Sequence, residues 1–231
     1  MADSYVIEGE APISVTLRRS KQARRLSLRV SRLDGRVTLT MPRSVREGEA
    51  IAFLREKEAW LRGHLGRTVV AQRPEIGGTI PFLGRDTEIV SGTGRAARLE
   101  EDRLVVPGDG EMIPARILAF LKLQARTRLQ VASDHYAEAL GVSFGKITLR
   151  DTRSRWGSCT SEGNLMYSWR LVMAPQEVLD YVAAHEVAHL LEMNHSAAYW
   201  ANVAKVCPDY RRHRDWLRTD GHSLHSWDFS R

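Results

Sequence analysis

From Ile13 to Met41 apolar and polar positions alternate, in SVTLRRS and again in RRLSLRVSRLDGRVTLTMP. This period of two predicts strands, and Asp34-Gly35 sits between two such runs as a type I′ hairpin turn requires. The period then lengthens. In SVREGEAIAFLREKEAWLRGHLG, Ile51, Leu54, Glu58 and Leu61 mark one helical face, with Ser44 placed to open the segment and Gly66 to close it. Strand-like pieces come next in TIPFLGRDTEIV and RLVVPG. The cluster Pro107-Gly108-Asp109-Gly110 is the strongest break, dividing the chain into a β-rich N-terminal region with one helix, residues 1–108, and a second domain, residues 109–231. Beyond it, Ile113, Ile117, Phe120, Leu121, Tyr136 and Leu140 predict a long helix that Gly141 stops. Two further strand-like runs flank Ser161-Glu162-Gly163-Asn164, predicting a second hairpin, and VLDYVAAHEVAHLLEM, with Pro175 ahead of it and no breaker within, predicts one helix over 175–193.

Composition narrows the class. With 231 residues, 43% of them hydrophobic, the chain can bury a core in one large domain or two small ones. A net charge of +6 and a pI near 9.6 favour polyanionic partners without naming one. The charge concentrates at Arg18, Arg19, Lys21, Arg24, Arg25, Arg29 and Arg32, which are uninterrupted by any acid. Two readings stand for this stretch: a strand that turns its charges to water, or a contact for nucleic acid or nucleotide. Cys159 and Cys207 lie far apart without CxxC spacing, so neither a disulfide framework nor a thiolate zinc site is indicated. No apolar run reaches membrane-spanning length and MADSYVIEGE lacks a signal-type apolar core, so the expectation is a cytoplasmic protein with no membrane partner.

The chemistry concentrates in AAHEVAHLLEMNHSAAYW, residues 183–200. On a helix, His185 and His189 are rotated by only about 40° and share a face, close enough for both imidazoles to reach one ion. Glu186 beside them completes HExxH, the arrangement in which two zinc ligands are joined by a carboxylate that takes a proton from a metal-bound water. Three protein ligands are usual at a catalytic zinc, and His195 is the nearest third candidate. Continuing the helix six residues past His189 would turn His195 away by roughly 240°, so the helix must stop first. Met193-Asn194 allows a stop, and Ser196 can cap a new helix over AAYWANVAKV. Were His195 to point elsewhere, Glu192 would be the nearest carboxylate.

HEVAHLLEMNHSAAYW, preceded by RWGSCTSEGNLMYSWRLVMAPQEVLDYV and followed by CPDYRRHRDWL, resembles the YgjP-like metallopeptidases, a family related to the SprT and WLM families of small zincins. LRRSKQARRLSLRV, DGRVTLTMP, EKEAWL and PFLGR extend the resemblance over most of the chain, and WGSC, the HExxH helix and NHS are its most specific pieces. The resemblance implies a zinc-dependent hydrolase in which His185, His189 and His195 bind Zn2+ and Glu186 is the general base. It names no substrate.

The fold expected is α+β: the β-rich N-terminal region, then a zincin-like (minigluzincin) helical domain with a short antiparallel sheet. Peptide hydrolysis needs an exposed strand edge and an oxyanion donor. NLMYSWRL, directly before the helix, is the expected edge, and Arg155, Tyr167, Tyr199, His213 and His222 are all eligible donors. Arg155, Trp156, Ser158 and Tyr199 are the candidate substrate-binding residues. WGSC reads equally as a hairpin corner with Trp156 as a core anchor, and His222 and His225 read as surface residues. Two rivals to a metallopeptidase remain, a nucleotide phosphoanhydride hydrolase at the same metal site and a nucleic-acid-associated protease or binding module.

Overall fold

The computed structural model describes residues 3–9, 12–30, 36–65 and 72–230. The turn at Asp34-Gly35 and the stop at Gly66 lie outside the described residues. The fold class is α+β, and the chain divides into two compact units, Met1–Val70 and Ala71–Arg231.

In the first unit β1 (Asp3–Ile7), β2 (Ile13–Ser20), β3 (Ser27–Val30) and β4 (Val37–Pro42) form a sheet of order β1-β2-β4-β3. β3 and β4 are the expected antiparallel pair, joined in register from Val30–Val37 to Ser27–Thr40, while β2 runs parallel to β4. The alternation works as a sorting device. Val15, Leu17, Val37, Leu39 and Met41 are buried with Ala50, Leu54 and Leu61, whereas Arg18 and Arg29 are exposed. The helical segment breaks at Lys57 into α1 (Glu47–Glu56) and α2 (Glu58–Leu65), and its buried face is carried by Ala50 rather than the half-buried Ile51. Arg46, not Ser44, occupies the N-cap, and it makes no side-chain cap.

The second unit begins with β5 (Thr79–Phe82), β6 (Arg85–Gly92), β7 (Arg98–Glu100) and β8 (Arg103–Pro107), in the order β5-β6-β8-β7. The Pro107–Gly110 cluster, expected to mark a boundary, is a turn inside this unit, where the amides of Met112 and Ile113 donate to the carbonyls of Asp109 and Gly110. It leads into α3 (Met112–Leu140), which Gly141 ends in the left-handed conformation at φ 68°. Ile80, Phe82, Ile89, Leu104 and Val106 share one core with Ile113, Ile117, Phe120 and Leu121 of α3.

A three-stranded sheet comes after α3, made of β9 (Ile147–Arg150), β10 (Gly157–Cys159) and β11 (Leu165–Ser168), and then α4 (Gln176–Ala188), α5 (Ala197–Val206) and α6 (Tyr210–Thr219). Single 3-10 turns cover Trp169–Met173 and Gly221–His225. α4 is apolar almost all round, with Val178, Leu179, Tyr181, Val182, Ala183, Ala184, Val187 and Ala188 buried, so it runs through the core rather than over it. The β5–β6 turn fixes its entry. Leu83 and Gly84 both have positive φ, as a two-residue type I′ hairpin demands, and the Leu83 amide donates to the Val172 carbonyl at 2.8 Å. A β-carbon on Gly84 would lie 2.8 Å from the Pro175 backbone, so only glycine lets the hairpin seat against the start of α4.

Candidate metal centre

α4 ends at Ala188 with His189 as its C-cap, one turn before the expected 193. The chain tightens there, because the amides of Leu190 and Leu191 donate three residues back, to Val187 and Ala188. Asn194 Oδ1 accepts from the Ser196 amide at 2.9 Å, and Ser196 Oγ accepts from the Tyr199 amide, capping α5. This reversal carries His195 back over α4. Its Nε2 lies 3.2 Å from His185 Nε2, and the ligand atoms of His185, His189 and His195 all fall within 4.8 Å of one another.

The surroundings suit a cation. His189 Nδ1 is 3.0 Å from the Glu192 carbonyl, which fixes that nitrogen as the donor and leaves Nε2 with a free lone pair. Burial, followed by the neighbouring His189 and His195, lowers the pKa of His185 to about 3, so this imidazole stays neutral near pH 7; burial lowers the pKa of His189 as well. Neutral imidazoles with converging lone pairs are what a metal requires. The donor set therefore fits an ion. His185 Nδ1 is buried without a hydrogen-bond partner among the described residues.

Tyr199, one of the candidate substrate-binding residues, is fully buried beneath the triad. Its ring stacks on His189 at 4.5 Å and its hydroxyl donates to the His185 carbonyl at 2.9 Å, so it supports the histidines from below and offers no open face. Glu186 is 4% exposed, and burial pushes its carboxyl up to about 8 against the partly opposing charge of Arg155.

β10, not the NLMYSWRL strand, is the free edge next to Glu186. The expectation for β11 fails because β9 pairs in parallel along its other side, leaving β11 central in the order β10-β11-β9. The Ser168 amide donates to the Trp156 carbonyl and the Thr160 amide to the Asn164 carbonyl. Trp156, Ser158 and Thr160 thus spend their backbone groups on β11, and the amide and carbonyl of Gly157 and Cys159 face outward.

Between α4, α6 and the residues entering β10 lies a cavity of about 280 Å3. Arg155 and Trp156 line it; Ser158 does not, since its side chain alternates to the face opposite Gly157. Of the five eligible oxyanion donors only Arg155 lines this cavity. Tyr167 is buried against Ser133 at 3.0 Å, Tyr199 is engaged as described, and His213 lines a different cavity. Cys159 and Cys207 are both free thiols.

The C-terminal tail supplies what the sequence reading missed. Trp156 packs against Gly221, where a β-carbon would lie 3.1 Å from its ring, and lies 5.1 Å from the His225 ring. His225 is therefore half-buried rather than a surface residue, and burial, then Arg170, lowers its pKa to about 4. Arg170 ties the tail down: it is paired with Asp151 at 2.7 and 3.0 Å and donates to the carbonyls of Leu224 and Trp227. Trp156 is thus both a packed corner and a cavity wall. Arg214, Leu217 and Arg218 of α6 also line the cavity, and their i, i+3, i+4 spacing in CPDYRRHRDWLR is the signal that could have found them.

A family model described as the YgjP-like metallopeptidase domain matches residues 24–220, a span that holds the three histidines, Glu186 and the cavity arginines. Among solved structures, the metallopeptidase zymogen abylysin of Pyrococcus abyssi is 22% identical, covering 39% of this chain and 92% of that one with a TM-score of 0.37. No curated protein matches. The chain belongs to the YgjP-like metallopeptidase family and is a metal-dependent hydrolase.

Proposed function

We propose that the protein is a zinc peptidase in which His185, His189 and His195 hold the ion and Glu186 is the general base. The observation that carries this reading is the convergence of three imidazoles beside a buried carboxylate, under a strand edge with free backbone groups. An all-imidazole donor set suits zinc among the common divalent ions, and zinc when bound supplies Lewis acidity that acidifies water and polarises a carbonyl.

The chain's own residues then divide the remaining work. An extended peptide pairs with the outward amide and carbonyl of Gly157 and Cys159, which lays its backbone across the triad. Glu186 accepts the proton from water at its carboxylate and returns it to the leaving nitrogen. Its raised pKa makes the carboxylate a strong proton acceptor once ionised, and a cation held by the triad would favour that ionised form. Arg155, already near enough to act on the Glu186 charge, is the eligible donor best placed for developing negative charge. The nucleotide and nucleic-acid readings rest on the arginines of β2 and β3. Arg19 among them donates to the carbonyls of Arg43 and Val45, tethering the strand end.

Two substitutions test the proposal together. Glu186→Gln should retain about one zinc per chain and lose turnover of a peptide substrate by about three orders of magnitude or more; unchanged turnover sinks the general-base role. His195→Ala should release the metal at chelator concentrations the wild type withstands, and metal binding of equal strength in both proteins removes the three-histidine site.

A further inference from the structure

The cavity beside Glu186 has a charge pattern that ordinary solubility does not account for. Its apolar wall comes from Tyr181, Val182 and Leu217, and three guanidinium groups, those of Arg155, Arg214 and Arg218, stand around it. Among the described residues Glu186 is the one carboxylate in the lining. Arg214 and Arg218 are one helical turn apart on α6, a like-charge pair on one helix face. The only carboxylate near Arg218 among the described residues is the exposed Asp215 at 3.6 Å. Neither Arg155 nor Arg214 has a carboxylate within salt-bridge distance among the described residues.

Arg214 is nonetheless held in place. Its guanidinium lies 5.0 Å from the centre of the Trp200 ring, which stacks on Tyr210 at 5.1 Å and 19°. The same Trp200 ring is 5.8 Å from His185 and 5.7 Å from His195. An oriented, unpaired guanidinium one ring away from the triad is a ready carboxylate receptor, because its planar fork accepts a carboxylate in bidentate fashion. The volume, at the small end of ligand pockets, holds one side chain and not an extended ligand.

We propose that this cavity, framed by Arg155, Arg214 and Arg218, is a subsite for a substrate carboxylate on the residue flanking the scissile bond. This rests on the peptidase reading above. The carboxylate belongs either to an Asp or Glu side chain within a chain or to the carboxy terminus of the substrate, and both present the same oxygens to the fork. His185 and Glu186 form one wall of the cavity, so its occupant is adjacent to the bond being cut.

Binding and cleavage are measured separately. Zinc-loaded Glu186→Gln protein is titrated with three matched short peptides: one with Glu at the central position and an amidated end, one with Gln there and an amidated end, and one with Gln there and a free carboxy terminus. We expect one of the two carboxylate-bearing peptides to bind on the order of tenfold or more tighter than the neutral one. Which of them does so identifies the source. Arg214→Ala should erase the difference, and Arg155→Ala, on a separate element, should reduce it. Equal binding of all three peptides, or a preference that survives Arg214→Ala, overturns the proposal. Wild-type protein then digests the same peptides. Charge-selective binding without cleavage of any peptide would remove the peptidase reading while leaving the carboxylate site standing.

Discussion

Gly157 faces the carboxylate of Glu186 so closely that a β-carbon on it would lie 2.5 Å from Oε1 and 2.7 Å from Cγ. The glycine of WGSC is therefore a spacer that lets a buried carboxylate stand directly under a strand edge. Gly157→Ala forces Glu186 or β10 to move, since the three atoms nearest that β-carbon all belong to Glu186. The expected outcome is unchanged zinc content, a stability loss of about 1–3 kcal/mol from overpacking, and a fall in kcat larger than the change in KM. Metal analysis, thermal unfolding and steady-state kinetics on one preparation check it. Wild-type turnover in the variant would mean that Glu186 has freedom the packing denies.

One side chain anchors the C-terminal tail beside the backbone hydrogen bonds that Gln72 makes with Ser226 and Asp228. The Arg170 side chain is 10% exposed, and it holds residues 221–229 through two carbonyls while pairing with Asp151. Arg170→Met removes these bonds and leaves the Leu224 and Trp227 carbonyls without their donor, at about 2–3 kcal/mol, discounted because Asp151 is half-exposed. Trp156 would lose its backing from Gly221 and His225 with it. Limited proteolysis should nick the variant near 221–229 where the wild type resists, and activity should fall with the tail's release. Equal resistance of both proteins would show that the apolar contacts and the Gln72 backbone bonds hold the tail without Arg170. At Asp151 burial acts to raise the carboxyl pKa, but the Arg170 hydrogen bond and charge outweigh it, so the net shift is downward. A depressed carboxyl contributes stability above its unfolded pKa of 3.8 and loses it as pH falls through the folded value. The destabilisation of Arg170→Met should consequently be largest above the unfolded pKa of Asp151 and shrink as pH falls, because the wild type itself loses the Asp151 contribution there.

These two sites show what could be read from the chain and what could not. The convergence of the imidazoles was legible because it depends on local rules: four residues make one helical turn, Asn194 permits a reversal, and Ser196 caps the helix that begins after it. The hairpins and the stop at Gly141 were legible for the same reason. The edge strand was not, because the position of β11 depends on a parallel partner, β9, about eighteen residues away, which no local pattern announces. The end of α4 was misplaced because HLLEM is a good helical sequence, and the Glu192 carbonyl takes the His189 ring instead of an amide of a continuing helix. Arg214 and Arg218 share a helical face in the sequence, but only the fold sets them around one cavity.

Stability of the metal-free protein should depend on pH through Glu186. Burial raises its carboxyl from 4.5 to about 8. Between those values the folded chain binds a proton that the unfolded chain does not. The stabilisation of the protonated form is fully present below pH 4.5 and is lost as pH rises through about 8. Metal-free protein should therefore lose stability with rising pH across this window, by up to about 1.4 kcal/mol per unit from this one group. Glu186→Gln, neutral at every pH, should lack that component while retaining the opposite, acid-side loss caused by the depressed His185. Urea midpoints of the two metal-free proteins, measured at pH values between those of mild acid and mild base, isolate Glu186 by difference, with the glutamine variant gaining on the wild type as pH increases. Parallel curves would mean that the carboxylate is ionised in the fold at neutral pH, and that its burial is compensated by a cation such as Arg155 more fully than its position implies.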